Sequence, residues 1–329
     1  MITVLKLQTV LSLATALCLS LCLSPSLHAQ DFPARQIIRL ILPFSPGGGT
    51  DTIARSLNTK MSEVLGQTVI IENKAGAGGA IATDYVAKAQ PDGYTVLFTV
   101  SSHSINQALM PKLPFDTERD LRGVTLIGAL PQVIAVHPSV PANNLKEWLA
   151  LGKKQPHYLS YGTGGVGSPG HFAGALLQSM SKQPLNHVPY RGAGPALADA
   201  MGNQVPAFIG TLSGALPHIK SGKLKALAIT SKARSALLPD VPTVEGSGVA
   251  GYESDTWIAT FVPRATPEVV VRKLHLATLA ALDDSVVRAK IESQAGTVTG
   301  GSSAELDALV AKEIKQFIKV VQDQGIKPE

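Results

Sequence analysis

The strongest constraint on this chain is a pattern that occurs twice: a strand, a glycine-rich loop and a helix, then the same three again, then a closing strand. In the first round Ile37 to Leu42 runs into P-F-S-P-G-G-G-T-D-T-I-A-R (Pro43 to Arg55), and apolar residues at helical spacing follow over Ile53 to Leu65. Thr68 to Ile71 is the next strand, N-K-A-G-A-G-G (Asn73 to Gly79) the next loop, Ile81 to Ala89 a helix, and Tyr94 to Val100 the third strand after the turn Pro91-Asp92-Gly93. In the second round strand Tyr158 to Tyr161 enters G-T-G-G-V-G-S-P-G-H and helix Phe172 to Met180. Strand Asn186 to Tyr190 then enters Arg191 to Pro195 and helix Ala196 to Met201, and Val205 to Ile209 closes the round. Loops roughly 30 residues apart are the spacing of βαβ units. Such alternation predicts an α/β fold of two domains, each a parallel-rich sheet flanked by helices. Each domain offers glycine loops and helix N-termini at one edge, so the binding place is the crevice between them.

The first glycine loop indicates what kind of ligand suits that crevice. Three consecutive glycines allow positive φ and close approach of backbone to a ligand. Thr50 or Asp51 is expected to cap the helix, leaving free N–H groups and the positive end of its dipole facing the loop, an arrangement that holds an anion without Arg or Lys. After the third strand, Ser101, Ser102, His103 and Asn106 fall at a strand's carboxyl end, where open α/β sheets bind ligands; one or two of them would instead cap the next helix. Val124 to His137, apolar with Pro131 near its middle, suits a segment passing from one sheet to the other, and Asp255 to Pro263 suits the return. The tail is helical, with Thr266-Pro267 as a cap followed by proline at the first helical position, a capping box from Ser302 to Glu305, and a stop at Gly325.

Met1 to Ala29 has a single cation, Lys6, then a Leu/Ala/Ser run, Pro25 and the exit Leu27-His28-Ala29, which predicts a secretory signal peptide cleaved near Ala29. Cys18 and Cys22 leave with it, so the mature chain would have no thiol for disulfides, thiolate metal sites or nucleophilic catalysis. Loss of Lys6 lowers the formal charge by one, from +5 to +4. No Lys/Arg cluster interleaved with aromatics suggests nucleic acid, and no second long apolar segment suggests a membrane span.

The motifs P-F-S-P-G-G-G-T-D-T-I-A-R, E-N-K-A-G-A-G-G, P-D-G-Y-T, L-S-Y-G-T-G-G-V-G-S-P-G-H with H-V-P-Y-R-G-A-G-P-A-L-A-D, L-P-H-I-K-S-G-K-L-K-A-L-A-I-T-S and L-L-P-D-V-P-T-V resemble the Bug-type extracytoplasmic receptors of tripartite tricarboxylate transporters, in order over nearly the whole mature chain. The resemblance implies a periplasmic-binding-protein clamshell of type II that closes on a small carboxylate or related compound in the periplasm and hands it to the transporter's membrane components, as a monomer without a cofactor. It divides the chain into residues 30–130 plus 252–329 and residues 131–251. It places the ligand against Ser45, Gly48, Gly49, Thr50 and Asp51 on one side, with Ser101, His103 and Asn106 from the strand-end argument. On the other side it places Thr163, Gly164, Gly167, Ser168, Tyr190, Gly192 and Thr211. The chain departs from the family pattern at Pro206 and Gly210, where relatives commonly carry acids, and at Gln107, where they carry proline. Without a carboxylate at position 210 to pair with an amino group, the expected ligand is a dicarboxylate, an aromatic acid or an uncharged compound rather than an amino acid.

Enzyme classes fit less well. Gly162, Gly164 and Gly167 spell G-x-G-x-x-G, but no acidic residue stands near Asn186 to Arg191 to hold a ribose. Ser168 with His171 or His187 lacks the G-x-S-x-G elbow, because position 166 is Val. The histidines are scattered with no H-x-x-x-H spacing for a metal. Asp283-Asp284 suggests a helix cap and Asp199 a solvated face. The remaining alternative is a sensory receptor that signals to a membrane kinase.

Overall fold

The computed structural model describes residues 32–34, 36–44, 46, 49–110, 112–152 and 154–327. The signal-peptide assignment, both cysteines, Ser45 and Gly48 lie outside them. The first sheet is built from β1 (Ile38–Leu42), β2 (Val69–Asn73), β3 (Thr95–Val100), β4 (Leu121–Leu130), β10 (Thr256–Pro263) and β11 (Thr297–Gly301), ordered β11-β4-β10-β3-β1-β2. The second contains β5 (Gln132–Val136), β6 (Ser160–Thr163), β7 (Asn186–Pro189), β8 (Ala207–Thr211) and β9 (Lys225–Ile229), ordered β7-β6-β8-β5-β9. Both sheets are mixed. β1 pairs in parallel with β2 and β3, and β6 with β7 and β8, as the βαβ spacing requires. β10 is antiparallel to β3 and β4, β11 to β4, and β5 to β8 and β9.

Helices cover both faces of each sheet, because strands that are apolar on both sides need two covering layers. One face of the first sheet packs Leu40, Phe98 and Ile258 against α1 (Gly49–Leu65) and α9 (Glu268–Leu282), contributing Leu57 and Leu274. The opposite face packs Ile41, Leu97 and Phe261 against α2 (Ala80–Ala87) and the long α11 (Ser303–Gln324), through Val86, Leu306, Val310 and Ile314. In the second sheet Ile134 and Ile209 meet Trp148 of α5 (Leu145–Leu151) and Leu177 of α6 (Pro169–Ser181). Val133 and Phe208 on its other face meet Ala196 of α7 (Ala193–Met201) and Leu212 of α8 (Leu212–Lys220). Ile105 and Leu109 of α3 (Ser102–Leu109), Phe172 of α6 and Phe317 of α11 form a separate apolar joint between the two halves. Beyond it, Val320 of α11 belongs to the second core, so one helix serves both.

Val124 to His137 becomes two strands in two sheets with Pro131 between them, and Asp255 to Pro263 supplies the return strand, as expected. The capping box at Ser302 and Glu305, the left-handed Gly325 and the Asp284 cap of α10 (Ser285–Ser293) are all present. Several element ends differ by a few residues, three of them for visible reasons. Tyr158 lies in a single 3-10 turn over Pro156–Leu159, where its carbonyl accepts from Trp148 Nε1 at 2.8 Å, and the strand starts at Ser160. Pro267 is itself the cap of α9, its carbonyl accepting from Val270 and Val271, so Thr266 lies outside the helix. α7 begins at Ala193 because Pro195 falls in its first turn, where a missing N–H loses no intrahelical bond.

Gly128 tests the first sheet. A β-carbon there would collide with the Thr297 carbonyl oxygen of β11, which is backbone and cannot rotate away. Gly128→Ala is therefore expected to lower the unfolding free energy by about 2 kcal/mol, read from the urea midpoint; an unchanged midpoint would show that β11 is free to shift.

Candidate functional site

The carboxyl ends of β1, β2 and β3 carry the first rim. α1 begins at Gly49, so Thr50 and Asp51 lie in its first turn and neither is the cap expected of them. Asp51 is almost fully buried and accepts from Arg55 Nε at 2.8 Å and Nη2 at 3.1 Å, and from Asn73 Nδ2 at 3.0 Å. Asn73 Nδ2 also donates to the Phe44 carbonyl at 2.9 Å, which ties the loop after β1 to the end of β2. The Arg55 guanidinium offsets the Asp51 charge, which would otherwise repel an anion from the helix end. Next to it the turn Gly76 to Gly79 holds φ values of 130° at Gly76 and 102° at Gly79, and Asn106 Nδ2 fixes it by donating to the Gly78 carbonyl at 2.9 Å. Asn106 thus positions the rim through that turn. Gln107, the departure from the family pattern, accepts from the Thr117 N–H at 2.9 Å and anchors the far end of α3.

Ser101 occupies the cap position of α3, yet its hydroxyl makes no capping bond and has no partner. His103 stands apart from the rim. Its ring is buried 4.4 Å from the Phe261 ring and 6.5 Å from Trp257, neither ring nitrogen has a hydrogen-bond partner, and burial pushes its pKa down to about 3. It is a neutral core residue of the first half.

The second rim is built around Thr163, the last residue of β6. Its Oγ1 lies 2.7 Å from His187 Nε2 and accepts from the Gly165 N–H at 3.2 Å. Ser168 caps α6 by accepting from the His171 N–H at 3.3 Å, and His171 Nδ1 accepts from the Gly167 N–H at 3.2 Å. An accepting Nδ1 puts the proton of neutral His171 on Nε2. The His171 and His187 rings stack 3.9 Å apart at 12°. Burial holds His171 at a pKa of about 4; burial, and then the neighbouring His171, holds His187 at about 3. Two uncharged imidazoles thereby stiffen the loop from Thr163 to Ser168. The Ser168 hydroxyl is occupied by this loop, with no imidazole nitrogen placed to activate it.

Tyr190 donates its hydroxyl to Asp199 Oδ2 at 2.8 Å, and its N–H to the Thr163 carbonyl at 3.2 Å. Burial and then the Asp199 carboxylate push the phenol up to about 12. Asp199 is therefore a partner of the rim and not the solvated residue expected. Gly192, at φ 115°, precedes α7 with open space where a β-carbon would project, and Thr211 sits at the end of β8 before α8. The second rim touches the first half at the apolar joint: a β-carbon on Gly167 would lie 3.2 Å from Leu109 Cδ2 of α3. Sequence reasoning missed Asn73, whose amide nitrogen serves two partners, and Gln132. The signal for Gln132 was a lone amide inside the apolar crossover.

Burying neutral histidines ties stability to pH. A group with a folded pKa below its unfolded value near 6.5 contributes stability in full above about 6.5, and loses it as pH falls toward the folded value. For His103, wild type should lose about 2 kcal/mol more unfolding free energy than His103→Phe between about pH 7 and about pH 5. Urea titrations at both pH values check this, and parallel losses would contradict it.

Among the described residues no group of three or more His, Cys, Asp or Glu side chains is placed to hold a metal, and no helix is long and apolar enough to cross a membrane. The tripartite tricarboxylate transporter family receptor model matches residues 53–326. Protein BugT of Bordetella pertussis is 35% identical over 301 residues, spanning 91% of this chain and 92% of that protein. The solved periplasmic binding protein BugD is 33% identical with a TM-score of 0.76, over 90% of this chain and 99% of BugD. MatC from Rhodopseudomonas palustris, solved with bound malate, is 34% identical with a TM-score of 0.75, over 88% of this chain and all (100%) of MatC. This is a family of solute-binding receptors and not of enzymes, and the chain belongs to it: it is a tripartite tricarboxylate transporter family receptor with the two-domain α/β fold of periplasmic binding proteins.

Proposed function

We propose that this receptor captures a small carboxylate in the periplasm, between a domain of residues 30–130 plus 252–329 and one of residues 131–251, and delivers it to the membrane components of a tripartite tricarboxylate-type transporter. One observation carries the proposal: the N-termini of α1 and α2 from one sheet, and of α6 and α7 from the other, all open on carboxyl strand edges. Helix-end amides stabilise negative charge without a counter-charge, and do so best where water is excluded. On the first side Ser45, Gly48, Gly49 and Thr50 would meet the ligand, and on the second Thr163, Gly164, Gly167, Ser168, Gly192 and Thr211. Asp51, Asn106 and Tyr190 would act through the loops they hold.

The bound malate of MatC supports a dicarboxylate among the candidates. Gly210 supports an acid without an amino group: a β-carbon there would come within 2.9 Å of Phe208 Cε1, so the Phe208 ring occupies the room a carboxylate side chain at 210 would need. Closure would follow from tighter binding to the closed form, which shifts the equilibrium between open and closed states.

The test is a thermal-shift and calorimetric screen of dicarboxylates, aromatic acids and amino acids on the mature monomer, beside an uptake assay in a strain lacking the gene. A true ligand at about 100 times its Kd should stabilise the fold by about 2.7 kcal/mol, and the deletion strain should stop importing it. Stabilisation by amino acids alone would refute the argument from Gly210, and intact uptake with a lost transcriptional response would favour signalling to a membrane kinase.

A further inference from the structure

Gln132 opens β5 directly after Pro131, and its partner across the strands is Thr211 at the end of β8. Its main chain is satisfied: the N–H donates to Thr230 Oγ1 at 3.0 Å, and the carbonyl accepts from the Thr230 N–H at 3.0 Å. Its side chain is not. The residue is 1% exposed, and neither Nε2 nor Oε1 has a hydrogen-bond partner. Oε1 lies 3.5 Å from where a β-carbon would stand on Gly170, in the first turn of α6. That turn follows the Thr163–Ser168 loop of the second rim. Two more hydroxyls without partners occupy strand ends of the first sheet: Ser101 Oγ after β3, and Thr256 Oγ1 at the start of β10, where Thr256 pairs with Leu130, two residues before Gln132. Of the described buried side chains without partners, Gln132, Ser101 and Thr256 lie at strand ends near the crossover.

A buried primary amide without partners is unfavourable, and an apolar side chain of the same size would remove the penalty. Gln132 follows Pro131 directly and its Oε1 lies beside the first turn of α6, so a ligand group that reaches that turn would meet it. Building on the carboxylate proposal above, we propose that Gln132 determines specificity for a part of the ligand seated beside the first turn of α6, and that it recognises a hydroxyl group. Nε2 needs an acceptor and Oε1 needs a donor. A carboxylate or ketone only accepts and an ammonium only donates, whereas a hydroxyl does both.

The experiment is calorimetry on the mature protein with acids that differ by one hydroxyl: succinate against malate, and butanoate against each of its hydroxy isomers. In at least one pair the hydroxylated acid should bind wild type at least about tenfold more tightly. Gln132→Met should bring that pair to within about twofold while leaving the plain acid's affinity unchanged, and should melt no lower than wild type without ligand. Equal binding of both members by wild type overturns the proposal, as does an equal loss of both in the variant. Binding of no acid at all by wild type overturns the carboxylate proposal together with this one. If Gln132→Met fails to fold, Gln132→Leu replaces it, and the wild-type comparison decides by itself whether the hydroxyl is read.

Discussion

The arrangement of the site depends on strand direction at one point. β4 runs parallel to β3, since both are antiparallel to β10, so the chain leaves the first sheet at the edge where β1, β2 and β3 end. It enters the second sheet through β5, which is antiparallel to β8, and therefore starts at the edge where β6, β7 and β8 end. Pro131 alone separates the two strands. Joining the sheets edge to edge in this way obliges every helix that follows a parallel strand to point its N-terminus toward the junction, whichever residues the loops contain. The anion-binding character proposed for the crevice would thus be a consequence of polarity, with the loop sequences refining it.

Given that polarity, the remaining requirement is that the loops hold still. A donor aimed at a ligand loses less free energy on binding if it is already fixed. The first rim is fixed by Asp51, Arg55, Asn73 and Asn106, the second by Thr163, Ser168 and the stacked histidines. Most side chains of polar type near the crevice are engaged in holding backbone, so the groups left for a ligand are mainly main-chain amides. The same logic explains why charge is scarce: Asp51 carries its own guanidinium, and His171 and His187 remain neutral.

The strand, glycine loop and helix order was legible because apolar periodicity and glycine are local signals, and the crossover at Pro131 was legible because an apolar run longer than one strand must be interrupted. Loops named by motif, such as Thr163 to Ser168, fall where a motif reader would put them. What could not be read was the work each polar side chain does. His103 has the composition of a site residue and the surroundings of a core residue, and only the proximity of Phe261, distant in sequence, separates the two. Asp199 reads as solvated until Tyr190 is folded over it. The antiparallel direction of β10, and the strand β11 itself, were hidden as additions to a parallel pattern, because pairing direction is set by topology and leaves no mark in composition.

The terminal helix α11 lends the molecule a mechanical property. It lies along the first half through Leu306, Val310 and Ile314, passes the joint at Phe317, and ends with Val320 in the second core and Gln324 bonded to Gln178. Swinging the halves apart must lift that final turn off its seat and wet the apolar surface beneath it, with a cost that grows with the area uncovered. The helix therefore ties the two halves together, and any separation of them would cost the apolar contact around its last turns.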